Sequence, residues 1–447
     1  MKKNYLLGMA LMASLSFNSC TKEIVYVQDG TGVESVADGA QIITLQVENG
    51  GDGLATRAGR PLYSAEAKQT IENVKLWICD NTGKVVYIKE ISDWNTDGST
   101  VYTTGGHGRQ TTIELKGADK LAVGTYKIYA VGYSNSGAYT LNNVTNVTKE
   151  RIFNENMVLP CSTAGEEIFA GQMELPVEKG KGFKKPVVLN RQVAGAFAYV
   201  KDIPFMEGAK YLKLVASAQN QSLILGNFNS VDLTGNGSGN DANVKYVVNG
   251  TNGKSGSETY VISTIDLNEW FTAIKDDNGD NLIDAGENWK NPRRPSGSPA
   301  AGTYPTFQKG SAFGGEFVIP FAHVDGKQTL TLQLTNADGT TVLRSWKVNL
   351  GSADEQLKQT ITCWNSGSTN WSAPLSGESS STYSLVRNHL YGIGTRMNDE
   401  ANPEKPGVDP DPNPENPNDK PESLNNKQEL VLKVNDNWEV IHGMELD

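Results

Sequence analysis

Apolar and polar positions alternate along this chain with a period of two, in short runs separated by turns rich in glycine, asparagine and aspartate, which is the pattern of half-buried strands. Ile43, Leu45 and Val47 mark one face of a short first strand whose other face carries Thr44, Gln46 and Glu48. Further strands are predicted at 74–79, 84–91, 112–115 and 125–133, with turn signals at Asn81-Thr82-Gly83 and Gly117-Ala118-Asp119 between them. A long β-rich run over 185–201 opens a second group, with strands predicted at 211–216, 245–248, 316–321, 329–334, 341–348 and 385–397. Residues 265–275 read as a helix. The expected fold is mostly β: an N-terminal β-sandwich over 58–184, then a C-terminal β-sandwich over 185–397 that carries an acidic loop insert.

The longest alternation lies at 428–447. Every second residue from Leu430 runs Leu430, Leu432, Val434, Asp436, Trp438, Val440, His442, Met444, Leu446, with Lys433, Asn435, Asn437, Glu439 and Glu445 between them and Val431 and Ile441 as exceptions. Such a strand needs a sheet edge to satisfy its backbone, either on its own molecule or on another. It follows a linker, 398–427, of Pro, Asp, Asn and Glu, a composition that makes an extended spacer of roughly 3.1 Å per residue rather than a core.

The other end carries processing signals. Lys2 and Lys3, an apolar run from Tyr5 through Phe17, and Asn18-Ser19 before Cys20 read as an export signal over 1–19, too short to span a bilayer, with a lipoprotein-type cysteine at its end. Acyl chains on Cys20 would anchor the chain to a membrane; the other reading is a soluble exported protein with an incidental cysteine. Residues 20–57 then form a tether and the first strand. The loop Asn49-Gly50-Gly51-Asp52-Gly53 leaves Arg57 accessible to a trypsin-like protease, although by itself it reads equally as a plain loop arginine; the following Pro61 makes Arg60 the poorer site.

Charge and composition narrow the function. A net charge of −11, spread without a basic stripe, excludes a phosphate backbone as partner. His107, His323, His389 and His442 stand on separate segments with no zinc or nucleophile–base spacing, so no enzyme is expected. Cys79, Cys161 and Cys363 are odd in number and cannot all pair. Residues 276–287 match a calcium loop: Asp276, Asn278, Asp280, Asp284 and Glu287 with the Leu282 carbonyl supply oxygens, and Asn281 stands where a left-handed residue is needed. The other reading of this stretch is a solvated acidic turn. Trp364 and Trp371 flank a polar tip on which sugar rings could stack, although Trp364, beside Cys363, reads as a core residue.

Taken in order, the lipoprotein-type signal, the strand at 43–47, Thr56-Arg57-Ala58, the run VLNRQVAGAFAYV at 188–200, Arg387-Asn388-His389, the DPDPNPENPN linker and the terminal strand with Asn437-Trp438-Glu439-Val440 resemble Bacteroidales fimbrillins, the type V pilin subunits of major and minor fimbriae. The resemblance implies two transthyretin-like β-sandwich domains in tandem with a C-terminal donor strand. It also implies a surface fimbria subunit, exported as an outer-membrane lipoprotein through Cys20 and cut after Arg57 by an arginine-specific protease. The displaced strand would be Ile43, Leu45 and Val47. The donor strand of a neighbouring copy or related pilin would bring Leu430, Leu432, Val434, Trp438, Val440, Met444 and Leu446 into its place. The fibre would then meet an adhesion receptor. The alternative is a surface lipoprotein that binds glycans or anchors a fimbria without polymerising.

Overall fold

The computed structural model describes residues 39–47, 71–92, 94, 101–102, 109–135, 137–162, 166–226, 246–251, 253–284, 289–290, 307–321, 330–350, 360–371, 375–376, 385–388, 390–394, 421–425 and 429–435. These residues are mostly β, and helices among them are single turns. Eight strands build a first sheet: β1 (Gln41–Val47), β2 (Asn73–Cys79), β3 (Val85–Ile91), β4 (Val101–Tyr102), β5 (Arg109–Leu115), β6 (Gly124–Tyr133), β7 (Phe169–Val177) and β8 (Phe183–Arg191). Their order is β3-β2-β6-β7-β8-β1-β5-β4. Among the described residues, the halves β3-β2-β6-β7 and β8-β1-β5-β4 join by pairing where Phe169 and Ala170 meet Arg191 and Asn190. At that corner a Cβ on Gly171 would lie 1.9 Å from the Val188 carbonyl oxygen, so only glycine lets the strands cross so closely. One core fills the space between the halves, with Val74, Leu76, Ile78, Ile128 and Ala130 from one and Ile43, Leu45, Ile113, Leu115, Val187 and Leu189 from the other.

Nine strands build the second sheet: β9 (Ala194–Lys201), β10 (Ala209–Gln219), β11 (Lys254–Asp266), β12 (Ala312–Val318), β13 (Leu330–Asn336), β14 (Val342–Leu350), β15 (Leu390–Ile393), β16 (Glu422–Ser423) and β17 (Glu429–Asn435). Their order is β11-β10-β13-β14-β17-β15-β9-β12, with β16 also on β9. The sheet curls until its ends approach: a Cβ on Gly314 of β12 would sit 2.8 Å from the Ile265 side chain of β11. Inside the curl an aromatic cluster forms, with Trp270 edge-on to Phe307 at 4.9 Å and Phe197 stacked on Phe313 at 5.6 Å. This core continues to Trp77, Tyr129 and Phe153 on the far face of the first sheet, which is why β2 is buried along its whole length.

The structure departs from the sequence expectations at five places. The run 185–201 is two strands, β8 in the first sheet and β9 in the second, so the change of sheet falls at Gln192–Val193 rather than after 184. The predicted linker 398–427 reaches the sheet before its end, since Glu422 and Ser423 pair with Val200 and Lys201 and Leu424 is fully buried. Part of the predicted spare strand, β17, lies inside its own sheet. The helix expected at 265–275 is one turn, Leu267–Trp270, capped where the Asn268 N–H donates to Asp266 Oδ1 at 2.9 Å. Among the described strands of seven residues or more, two went unpredicted: β7, whose Gly171 and Pro176 imitate a loop, and β11, polar in its first half.

Glu316, on the edge strand β12, is largely withdrawn from water, and burial pushes its carboxyl up to about 7 from an ordinary 4.5. The fold therefore holds a proton that the unfolded chain releases. That contribution to stability is complete below the unfolded pKa and is lost as pH rises through about 7. Melting temperatures taken from pH 4 to 8 should fall across this window in the native chain and fall less in Glu316→Gln.

Candidate functional site

The site predicted at the first strand is an internal slot. β1 runs antiparallel to β5, from Gln41 opposite Leu115 to Gln46 opposite Gln110, and parallel to β8, from Gln41 beside Phe183 to Val47 beside Leu189. Ile43 and Leu45 are completely buried, and on the opposite face Thr44 and Gln46 are buried too. Burial of the two large aliphatics contributes about 1.5–3 kcal/mol each. The entrance is latched: Gln41 Nε2 donates to the Leu121 carbonyl at 3.0 Å, the Leu121 N–H donates back to Gln41 Oε1 at 2.7 Å, and Lys120 Nζ reaches the Gly39 carbonyl at 2.8 Å. Taking β1 away would leave β5 and β8 with unpaired edges and a trough where Ile43 and Leu45 had been.

The β8 wall of this slot is braced from behind. Arg191, at the end of β8, donates through Nε and Nη2 to Glu167 Oε1 at 2.8 and 2.6 Å, with both side chains buried and the guanidinium over the Phe169 ring. Burial pulls the proton affinity of Arg191 down and Glu167 partly restores it. Next in sequence, Gln192 Oε1 accepts from Arg387 Nη1 at 3.1 Å, and the same nitrogen donates to the Gly226 carbonyl at 3.3 Å. Asn249 Nδ2 donates to the carbonyls of Gln192 and Ile224, while the Arg387 and Asn388 N–H groups donate to Val247 and Val193. Burial moves Arg387 down to about 9, which leaves it charged at neutral pH. Asn190-Arg191-Gln192 and Arg387-Asn388, separate motifs in the sequence, thus meet at the change of sheet and tie the two sheets together. The signal for such a knot is three polar residues in the middle of an apolar run; nothing in the pattern around Asn249 singles it out.

The last strand occupies a slot of similar polarity. β17 is parallel to β14, with Glu429 to Leu432 beside Lys347 to Leu350, and antiparallel to β15, with Leu432 to Asn435 opposite Ile393 to Leu390. Leu430 is buried. Cys20, Arg57, Ala58, Trp438, Val440, Met444 and Leu446 lie outside the described residues, as do the side chains of Val47, Leu432 and Val434.

The predicted calcium loop is shaped by its own backbone. Asp276 Oδ1 accepts from the N–H of Gly279 at 2.7 Å and of Asp280 at 3.1 Å, and Oδ2 accepts from Asn281 at 2.9 Å. Asn278 and Asp280 accept from the N–H groups of Asp280 and Leu282. Asn281 is left-handed at φ 66°, as its place in the loop requires. Leu282–Ile283 pairs with Ile203–Pro204, which anchors the exit. Among the described residues no three acidic, histidine or cysteine side chains converge on a common metal position; Glu287 lies outside them.

Trp364 is not a core residue as expected. It pairs across a hairpin with Trp371, both half-buried, with rings edge-to-face at 5.3 Å and Trp371 Nε1 donating to Asn156 Oδ1 at 3.1 Å. No disulfide links Cys79, Cys161 and Cys363; burial pushes the Cys79 thiol up to about 12 and makes it inert. No helix among the described residues is long and apolar enough to cross a membrane.

No protein-family model and no curated protein matches the sequence. Solved structures do. A fimbrial assembly protein from Parabacteroides distasonis is 12% identical, with 80% of this chain and 93% of that chain covered at a TM-score of 0.37. The tip fimbrial protein Mfa3 from Porphyromonas gingivalis, with a C-terminal truncation, is 10% identical over 79% and 94% at 0.36, and the fimbrial anchor protein Mfa2 from the same organism is 8% identical over 78% and 99% at 0.33.

The buried Arg191–Glu167 pair should weigh far more than a surface pair. Glu167→Ala strands a buried guanidinium and is expected to cost about 3–5 kcal/mol in urea unfolding. Glu178→Ala, which frees the exposed Lys181, should cost about 0–1 kcal/mol.

Proposed function

We propose that this chain is a structural subunit of a surface fimbria that polymerises by protease-triggered donor-strand exchange and supports adhesion. One observation carries the reading. β1 is the only described element ahead of Arg57, and both strands that hold it, β5 and β8, come after Arg57. A cut at Arg57–Ala58 removes every covalent link between β1 and its sheet, so the strand stays in place by hydrogen bonds and burial alone.

Cleavage also separates the body from Cys20. Acyl chains on that cysteine would hold the uncut chain on the outer membrane, and the released body would then be free to join a fibre. The slot demands main-chain pairing on both sides and apolar side chains at alternate positions. The alternation within 428–447, on a neighbouring copy or a related pilin, supplies both by β-augmentation. A contact of this head-to-tail kind does not close on itself and gives a filament. A calcium ion at 276–287, held by Asp276, Asn278, Asp280, Asp284, Glu287 and the Leu282 carbonyl, is proposed as a stiffener of that insert; the preformed turn around Asp276 supports it.

Protein taken from the cell surface should begin at Ala58 and run as an SDS-resistant ladder, whereas Arg57→Ala should remain full-length, lipidated and monomeric. A ladder that persists in Arg57→Ala would overturn protease triggering. For calcium, the expectation is a rise in melting temperature on titration that Asp280→Ala abolishes; no rise in the native chain discards the ion.

A further inference from the structure

We infer that the C-terminal alternation is divided in two: β17 stays in its own sheet as an anchor, and residues 436–447 alone enter the slot of a second copy. This rests on the strand-exchange reading above and assigns the exchanging segment within it.

The argument starts from what β17 holds together. It stands in the interior of the nine-stranded sheet, paired to β14 on one side and to β15 on the other. Withdrawing it would part the sheet into β11-β10-β13-β14 and β15-β9-β12, with no direct ladder between β14 and β15. Leu430, Val348, Tyr391 and Ile393, all buried, lie along that seam. Just upstream, β16 pairs with β9 and the Leu424 N–H donates to the Lys201 carbonyl at 3.0 Å, so the chain enters β17 from a point already fastened to the same sheet. No cleavage site in the reading loosens β17, whereas β1 is freed by a cut.

What lies past Asn435 is sufficient for the exchange. β1 fills its slot with seven residues. Residues 436–447 continue the alternation with Trp438, Val440, His442, Met444 and Leu446; with Met444 and Leu446 set at the places of Ile43 and Leu45, residues 442–447 cover the positions of Gln41 to Gln46, six of the seven. Because β17 is fixed, any reach between two bodies has to come from within 436–447 rather than from the proline-rich linker.

Two variants of the full chain test this, each cleaved at Arg57 before assembly. The first stops after Asn435. It should fold and melt like the native chain and form no ladder; a ladder equal to native would show that β17 is the donor and overturn the inference. The second, Leu390→Cys with Asn435→Cys, ties β17 to β15 at a position where the two residues face each other. Oxidised, it should polymerise as well as when reduced; assembly that appears only after reduction means β17 must leave home, and the inference fails. If the cleaved native chain itself gives no ladder, strand exchange falls rather than the division of the tail.

Discussion

The architecture depends on a backbone constraint: a strand in the interior of a sheet carries donors and acceptors on two sides, and both sets must be met. β1 meets two neighbours drawn from much later in the chain, and β17 meets two drawn from earlier in it. Each sheet is therefore closed by a terminal segment. Either strand would leave a gap in its sheet if withdrawn, but in the exchange proposed above only β1 is cut loose from the chain that follows it.

In the exchange proposed above, β5 and β8 would have to present their edges once β1 had gone, and a buried polar cluster stands behind one of them. The Arg191–Glu167 pair, Gln192, Asn249 and Arg387 form a buried polar knot at the change of sheet, with each bond directional and costly to break. Gly171 allows β7 to lie so close to Val188 that β8 is gripped from its other side as well.

Much of this was legible in the residues. Period-two alternation gave β1, β3, β13 and β14 nearly to their ends, because half-buried strands write their faces directly into the sequence, whereas β2 and β6 were legible as short apolar runs between turn signals. The errors have physical causes. The run 185–201 read as one element because its second half, β9, is buried on both faces, which erases alternation, and the polar triplet at 190–192 marks a corner only once its partners from 249 and 387 are in view. β7 was hidden by a glycine required for close approach. The place of β17 was open in the sequence for a deeper reason: an amphipathic strand states that it needs a sheet and does not state which one.

The setting of β17 also has a mechanical side. The chain enters this strand at Glu429 and leaves at Asn435, with ladders running along both flanks. Tension arriving through the residues beyond Asn435 is directed along the strand axis, so it loads the two ladders in shear, with many bonds strained together, instead of peeling them open one by one. A hairpin at the same place would unzip under far less force.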